Sequence, residues 1–257
     1  MFNKKNKDSE IDFQQERILN KDTDFNTVET YKTIRTNIMF SIPKADEGKI
    51  IAVTSASPGE GKTTTTVNLA ITFAQTGAKV ILLDCDLRKA RVHRYLKVDR
   101  KEGVTNILCG FCKFEDAVRK NVRENMDVLT AGEIPLNPAE LLENSAFSDL
   151  LNKLKTEYDY IFIDTPPVTI VTDAVIISKQ CTGVVMVVRS NVTTFDLLDQ
   201  TMDFIKKAGT KIIGVIMVGT AEKARKYKND KYRYKYRYRY NYKYSSEGYS
   251  YDDKDKE

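Results

Sequence analysis

A strand, a glycine-rich loop and a helix follow one another between residues 49 and 76, and this unit constrains the fold most strongly. Residues 49–54, with an apolar run at 50–53, predict a short buried strand, and residues 55–61 form the loop. The helix is predicted from Lys62 to Thr76, because Gly77 ends it. A loop between a strand and a helix is the setting of a phosphate-binding loop.

The residues of this loop suit the binding of phosphate. Gly59 and Gly61 let backbone N–H groups converge on phosphate oxygens, where a side chain would obstruct them. The helix N-terminus favours anions, Lys62 would reach the β- and γ-phosphates, and Thr63 would offer its hydroxyl to Mg²⁺. A plain glycine turn is the alternative, but the Lys-Thr pair favours ATP. We expect the nucleotide at residues Pro58, Gly59, Glu60, Gly61, Lys62, Thr63 and Thr64.

Further apolar runs alternate with amphipathic stretches along the chain. Continuous apolar strands separated by helices indicate a mostly parallel sheet that is covered on both faces. The fold class expected is therefore an α/β P-loop NTPase. The other predicted strands are residues 80–83, 159–163, 183–188 and 212–217, and the other predicted helices are residues 26–42, 137–156, 172–180 and 194–208.

Aspartates follow two of the predicted strands. Asp84 and Asp86 come directly after one strand, and Asp164 follows another. Ligands of such sheets bind at the carboxyl ends of the strands, so these side chains should face the phosphate loop. Asp164 could hold Mg²⁺, and Asp84 and Asp86 are carboxylates available to orient or deprotonate an attacking hydroxyl. Arg88 would hold this pair in place or contact phosphate.

The excess of positive over negative charge lies in the C-terminal segment of the chain. From Glu222 onward there are twelve Lys or Arg and seven Asp or Glu, and this net +5 equals the net charge of the whole chain. The preceding residues are neutral overall and give no electrostatic reason to expect nucleic acid. We expect a polar segment at 1–25, a domain at 26–221 and a disordered, low-complexity tail at 222–257.

Other features exclude several classes of protein. No apolar run is long enough for a membrane span, and the polar N-terminus is not a secretory signal, so we expect a cytoplasmic protein. Cys109 and Cys112 have metal-like spacing, but no second pair exists, and a turn between two helices is the favoured interpretation. His93 is expected to be a surface or loop residue rather than a catalyst, and Cys85 is expected to be buried.

The tail concentrates tyrosine. Ten of the fourteen tyrosines lie between Tyr227 and Tyr251, and residues 231–240 alternate basic and tyrosine residues. Such a segment suits binding to single-stranded nucleic acid through stacking and phosphate contacts. It also suits a bank of hydroxyls that accept phosphate. Taken alone the tail favours nucleic acid, whereas the phosphate loop and the three aspartates reverse that preference.

With these motifs together, the chain resembles the bacterial tyrosine kinases of capsule and exopolysaccharide synthesis. The resemblance rests on residues 29–38, the loop at 58–63, the Asp84–Arg88 segment, residues 163–167 and the terminal tyrosines. It implies catalytic roles for Lys62, Asp84, Asp86 and Asp164, ATP as substrate, and Mg²⁺ at Thr63, Asp86 and Asp164. Residues assigned to autophosphorylation are Tyr227, Tyr232, Tyr234, Tyr236, Tyr238, Tyr240, Tyr242, Tyr244, Tyr249 and Tyr251.

The resemblance also implies partners. The helix at 26–42 matches an oligomerisation motif through Glu29, Lys32 and Arg35, so that ring neighbours present tails to each other's sites. Family members without a membrane segment of their own resemble the form that a separate transmembrane protein activates at the inner face of the membrane. A cognate tyrosine phosphatase would reverse the modification, and no nucleic acid is expected.

Three positions differ from the usual family pattern, and one rival class shares the strand pattern. Lys32 stands in place of arginine, Ala90 in place of proline, and Val218 in place of an asparagine that helps to read the base. The rival is a positioning ATPase of the ParA or MinD kind, whose tail would bind DNA or membrane. Its loop carries a second lysine, which would fall at Ser57.

Overall fold

The computed structural model describes residues 15–43 and 47–220, and the predicted tail lies outside these ranges. The helices are α1 (Phe25–Ser41), α2 (Lys62–Ala74), α3 (Val92–Leu96), α4 (Val104–Leu108), α5 (Phe114–Ala117), α6 (Pro138–Glu143), α7 (Ser145–Glu157), α8 (Asp173–Ser178) and α9 (Phe195–Lys207). The strands are β1 (Lys49–Ser55), β2 (Val80–Asp84), β3 (Arg119–Arg123), β4 (Met126–Leu129), β5 (Tyr160–Asp164), β6 (Gly183–Arg189) and β7 (Ile212–Val218).

Within the described residues, seven strands form one sheet in the order β3-β4-β2-β5-β1-β6-β7. Neighbouring strands are parallel except for β3 and β4, which pair antiparallel at one edge. The predicted parallel α/β fold is therefore confirmed. In the register of the sheet, Asp164 of β5 lies opposite Asp84 of β2 on one side and opposite Val53 of β1 on the other. The strand-end aspartates thus share one edge with the loop after β1.

Apolar side chains cover both faces of the sheet. On one face, α2 packs its Phe73 ring 5.0 Å from the Phe162 ring of β5, and α1 lies against α2 and β7. The other face is covered by a second cluster that includes Phe147 of α7 and Ile177 of α8. Burial on both faces explains why β1, β2 and β5 read as continuous apolar runs.

Two features of the sequence prediction need correction. The stretch predicted as one helix at 137–156 is α6 and α7, because Asn144 adopts an extended conformation between them and its side chain accepts a hydrogen bond from the Ala146 N–H. Strands β3 and β4 are absent from the sequence prediction, because the edge strand β3 is mostly exposed without an apolar pattern and β4 has only four residues. The positive φ of Asn125 forms the turn between them.

The cysteines lie as expected, whereas His93 does not. Cys85 is fully buried, and residues 109–112 form the turn between α4 and α5. His93 lies on α3 rather than in a loop, and it is half-buried. Burial, and then the charges of Arg100 and Arg94, lower its pKa to about 4. No helix within the described ranges is long and apolar enough to cross a membrane.

Candidate active site at the phosphate loop

The loop after β1 has the backbone expected of a phosphate cradle. Gly59 and Gly61 have φ values of 81° and 90°, which non-glycine residues rarely adopt. Gly61 is the N-cap of α2 and supplies no side chain to cap the first amides of the helix. These N–H groups and the helix dipole therefore remain available to an anion.

Asp164 accepts hydrogen bonds from two hydroxyl groups in the first turns of α2. The Thr63 hydroxyl donates to one carboxylate oxygen at 2.7 Å, and the Thr66 hydroxyl donates to the other at 3.3 Å. The side chain is fully buried, and burial raises its pKa, as does the nearby Asp86, while Lys62 and the hydroxyls oppose the rise. Strand β5 and helix α2 thus bring together Thr63 and Asp164, as the sequence predicted for a metal site.

Lys62 points toward the carboxylates in this state. Its ammonium donates to Asp86 at 2.8 Å and lies 4.0 Å from an oxygen of Asp164. Burial alone would lower the pKa of Lys62, but the charges of Asp164 and Asp86 outweigh it and the pKa ends above its ordinary value. The ammonium is therefore charged where it contacts Asp86.

Asp84 is buried and only half satisfied. One carboxylate oxygen accepts the backbone N–H groups of Arg91 and Val92, at 3.1 and 3.0 Å. The other oxygen is buried and has no hydrogen-bond partner among the described residues. Burial, followed by repulsion from Asp164, raises the pKa of Asp84 to about 8. The carboxyl group therefore holds a proton near neutral pH in this state.

The oxygen atoms at this edge fit Mg²⁺. The hydroxyl of Thr63 and the carboxylates of Asp86 and Asp164 are hard oxygen donors, which that ion prefers. In the described ranges, no three His, Cys, Asp or Glu side chains could hold a metal by themselves. That arrangement agrees with the usual Mg²⁺ site of nucleotide enzymes, which takes one or two carboxylates and completes the shell with phosphates and water.

Arg88 does not hold Asp84 or Asp86 through hydrogen bonds. Its guanidinium instead donates two hydrogen bonds to Asp173, at 2.8 and 3.0 Å. Asp173 is the first residue of α8 and is wholly buried. The sequence does not single out Asp173, because an aspartate at a helix start is ordinary and no local motif marks its distant partner.

Glu60 faces away from the surface and holds the loop from within. Its buried carboxylate accepts the backbone N–H of Ser57 at 2.9 Å and the hydroxyl of Thr193. The Arg189 guanidinium donates to the carbonyl of Gly59 at 2.9 Å. The segment after β6 therefore braces the phosphate loop at two points. Neither Thr193 nor Arg189 belongs to a motif that the sequence analysis could recognise.

The residues predicted for oligomerisation have contacts within the chain. The Lys32 ammonium lies 2.8 Å from a carboxylate oxygen of Glu29, one turn earlier on α1. The Arg35 guanidinium donates to the carbonyl of Thr72 on α2 at 2.9 Å. Lys32 and Glu29 are partly exposed, so they remain accessible to a neighbour, whereas Arg35 also fastens α1 to the domain.

The predicted base-reading position lies beside the loop. Val218 ends β7, and a Cβ atom placed on Gly61 would lie 3.4 Å from a methyl group of Val218. The side chain offers no hydrogen bond there. All ten tyrosines assigned to autophosphorylation, from Tyr227 to Tyr251, lie outside the described residues.

The chain is similar to known proteins. A family model described as an AAA domain matches residues 48–214. The tyrosine-protein kinase YwqD of Bacillus subtilis is 40% identical over 191 residues, which cover 74% of this chain and 80% of YwqD. The tyrosine-protein kinase CpsD of Streptococcus agalactiae is 35% identical over 202 residues, covering 78% of this chain and 86% of CpsD. The chain belongs to the bacterial tyrosine-protein kinases.

Solved structures support the assignment of this tyrosine kinase. The chimerical protein CapA2B2 is 38% identical and superposes with a TM-score of 0.70, covering 74% of this kinase and 83% of that chain. The septum site-determining protein MinD of Pyrococcus horikoshii is more distant, at 28% identity and a TM-score of 0.58, covering 68% and 72%. The predicted kinase activity and P-loop fold are therefore confirmed, and the MinD-like rival is the weaker match.

Proposed function

We propose that this kinase transfers the γ-phosphate of ATP to the tyrosines of its own C-terminal segment, in trans between subunits. The observation that carries the proposal is the meeting of Lys62, Thr63 and three strand-end aspartates at one edge of the sheet. The sequence adds ten tyrosines between residues 227 and 251 as acceptors. Phosphorylation of this segment would regulate capsule or exopolysaccharide synthesis and export.

Each residue of the site has a role in this transfer. Backbone amides of residues 58–64 and the ammonium of Lys62, once released from Asp86, would bind the phosphates of ATP. Thr63, Asp86 and Asp164 would hold Mg²⁺, which neutralises negative charge on the phosphate oxygens. Gly59 and Gly61 keep side chains out of the space that the phosphates need.

The chemical step is an in-line displacement at the γ-phosphorus. The phenolic oxygen of a tail tyrosine attacks, the bond to the β-γ bridging oxygen breaks, and ADP leaves. Asp84 or Asp86 accepts the phenolic proton. Asp84, whose pKa is raised to about 8, can take this proton only in molecules in which it is already ionised, and its proton affinity is then closer to that of a phenol than the affinity of an ordinary carboxylate.

The proposed setting is the cytoplasmic face of the membrane. A separate transmembrane protein would recruit and activate the kinase, subunits would assemble as a ring through Glu29, Lys32 and Arg35, and a cognate tyrosine phosphatase would reset the tail. The partial exposure of Glu29 and Lys32 supports their availability to a neighbouring subunit. The neutral charge of residues 1–221 gives no reason to include nucleic acid among the partners.

Mixing two variants tests transfer between subunits. Lys62→Ala keeps the tail but loses the phosphate-binding ammonium, and a chain that ends at residue 221 keeps the site but loses the tail. Incubated together with Mg·ATP, they should produce phosphotyrosine on the Lys62→Ala chain, although each alone produces none. Labelling of wild-type protein without labelling in the mixture would show transfer within one chain instead. Release of phosphate with no labelled tyrosine would favour a positioning ATPase.

A further inference from the structure

Arg88 and Asp173 join the two loops that carry the acidic residues of the site. Arg88 lies two residues after Asp86, in the loop that follows β2. Asp173 follows the loop that leaves β5 after Asp164 and begins α8. Both nitrogen-to-oxygen contacts are short, at 2.8 and 3.0 Å, and they pair one guanidinium with both oxygens of one carboxylate. Two parallel hydrogen bonds fix the orientation of the guanidinium relative to the carboxylate as well as the distance between them.

Because Asp173 is buried, loss of its contact with Arg88 would destabilise the fold. The carboxylate is fully inaccessible to solvent, whereas the Arg88 side chain is 39% exposed. A buried carboxylate without a cation is costly, so Asp173 holds Arg88 strongly. The Arg88 guanidinium donates both of its hydrogen bonds to this carboxylate. The guanidinium is therefore committed to α8 and is not a free phosphate ligand.

The loop after β2 is held at several points, and each of them constrains Asp86. One carboxylate oxygen of Asp86 accepts the backbone N–H of Lys89 at 3.0 Å, and the other accepts a hydrogen bond from the Lys62 ammonium. The Cys85 N–H donates to the carbonyl of Asp164 at 2.8 Å, which ties β2 to β5 next to the site. The two hydrogen bonds from Arg88 to Asp173 attach the same loop to the start of α8.

We infer that Arg88 and Asp173 are positioning residues that set the spacing between Asp86 and Asp164, and thereby the affinity of the site for Mg²⁺. Neither residue has to touch the nucleotide for this role. The inference rests on the proposed metal role of Asp86 and Asp164. Residues that orient metal ligands typically change metal affinity by roughly 10-fold or more when they are replaced.

The test uses the full chain with Arg88→Lys, Asp173→Asn and the double substitution. Arg88→Lys keeps the positive charge but loses the planar fork, and Asp173→Asn removes the buried charge at nearly constant size. Binding of a fluorescent ATP analogue is measured in EDTA and then across a Mg²⁺ titration. We expect the Mg²⁺ midpoint to rise roughly 10-fold in each variant and no further in the double variant, because the pair acts as one unit. The affinity of each variant for the ATP analogue in EDTA should stay within about twofold of the wild-type affinity.

Lys89→Gln is the matched control, because Lys89 is the neighbouring exposed cation of the same loop. It should leave the Mg²⁺ midpoint unchanged. Thermal melts ensure that each variant is measured well below its unfolding temperature. Weaker binding in EDTA by Arg88→Lys, with unchanged binding by Asp173→Asn, would make Arg88 a phosphate ligand and overturn the inference. Unchanged Mg²⁺ midpoints in folded variants would also overturn it.

The same titration separates this inference from the proposed function. The wild-type chain could bind Mg·ATP with the expected dependence on the fork and yet leave its tyrosines unmodified, which would contradict only the proposed autokinase. Conversely, wild-type phosphotyrosine together with unchanged Mg²⁺ midpoints in the fork variants would contradict only the positioning role.

Discussion

The ammonium of Lys62 lies 2.8 Å from a carboxylate oxygen of Asp86, so the cation and the acidic motif after β2 neutralise each other. The contact joins the start of α2 to the end of β2. Phosphates that draw Lys62 away would leave Asp86 free to accept a metal ion instead. Exchange of Lys62 for Mg²⁺ at Asp86 would thus accompany ATP binding.

Replacement of the acidic pair should separate chemistry from binding. Asp84→Asn with Asp86→Asn keeps the size of both side chains, and it removes both candidate proton acceptors and one metal ligand. We expect loss of phosphotyrosine by at least roughly 100-fold, the range of general-base contributions, while ATP binding remains measurable. Filter binding and phosphotyrosine immunoblots measure the two properties. Full phosphotyrosine in the double variant would refute these roles.

The brace between Glu60 and Thr193 should stabilise the phosphate loop. Thr193→Val removes a hydroxyl that donates to a buried carboxylate, and we expect a loss of about 1.5–3 kcal/mol in the free energy of unfolding. Nucleotide affinity should fall as well, because the loop loses an anchor. Thr193→Ser keeps the hydroxyl and serves as the control in urea melts. Equal stability of the two variants would mean that the hydroxyl contributes nothing.

Asp84 should make stability depend on pH. The folded state holds a proton on Asp84 up to about pH 8, whereas an ordinary aspartate has a pKa of 3.8, so folding takes up a proton between these values. The free energy of unfolding should therefore fall as the pH rises from about 4 to about 8. Asp84→Asn removes this contribution.

Melting temperatures of wild type and Asp84→Asn at two pH values measure the effect. The melting temperature of Asp84→Asn, relative to that of wild type, should be higher at pH 8.5 than at pH 5. In a domain of this size, each kcal/mol of difference in the free energy of unfolding shifts the melting temperature by about 2–4 °C. The same difference at both pH values would show that the carboxyl group does not titrate in this range. The repulsion between Asp84 and Asp164 is lost in the variant, so the measured difference includes any change in the titration of Asp164.

The two basic residues of α1 should behave differently. Arg35→Ala removes the bond to the Thr72 carbonyl, so it should lower the free energy of unfolding by about 1 kcal/mol and also weaken any oligomer. Lys32→Ala loses only a surface pair, which contributes less than about 0.5 kcal/mol. Light scattering and melts measure assembly and stability. If Lys32→Ala leaves the oligomer mass unchanged at equal concentration, Lys32 has no role in assembly.

Local sequence patterns made the fold and the residues at the centre of the site predictable. Lys62, Thr63 and the aspartates were found because each belongs to a strand end or a helix start, and parallel strands bring such ends to one edge. Asp173 and Thr193 were missed because their partners, Arg88 and Glu60, lie 85 and 133 residues away. Buried hydrogen bonds over such separations leave no local pattern.

The errors in secondary structure have similar causes. The break at Asn144 rests on a side-chain cap, which competes with a helical pattern that otherwise continues from α6 into α7. Strand β3 is exposed at the sheet edge and has the sequence of a loop, so its pairing with β4 decides its conformation. Both features depend on contacts rather than on apolar periodicity.

Phosphotyrosine mapping tests the central claim most directly. The full chain and its Lys62→Ala variant are incubated with Mg·ATP, digested and analysed by mass spectrometry. We predict phosphate on several tyrosines between Tyr227 and Tyr251 in the wild type and on none in the variant. Equal tail phosphorylation in both proteins, or an unmodified wild-type tail despite ATP turnover, would contradict the account.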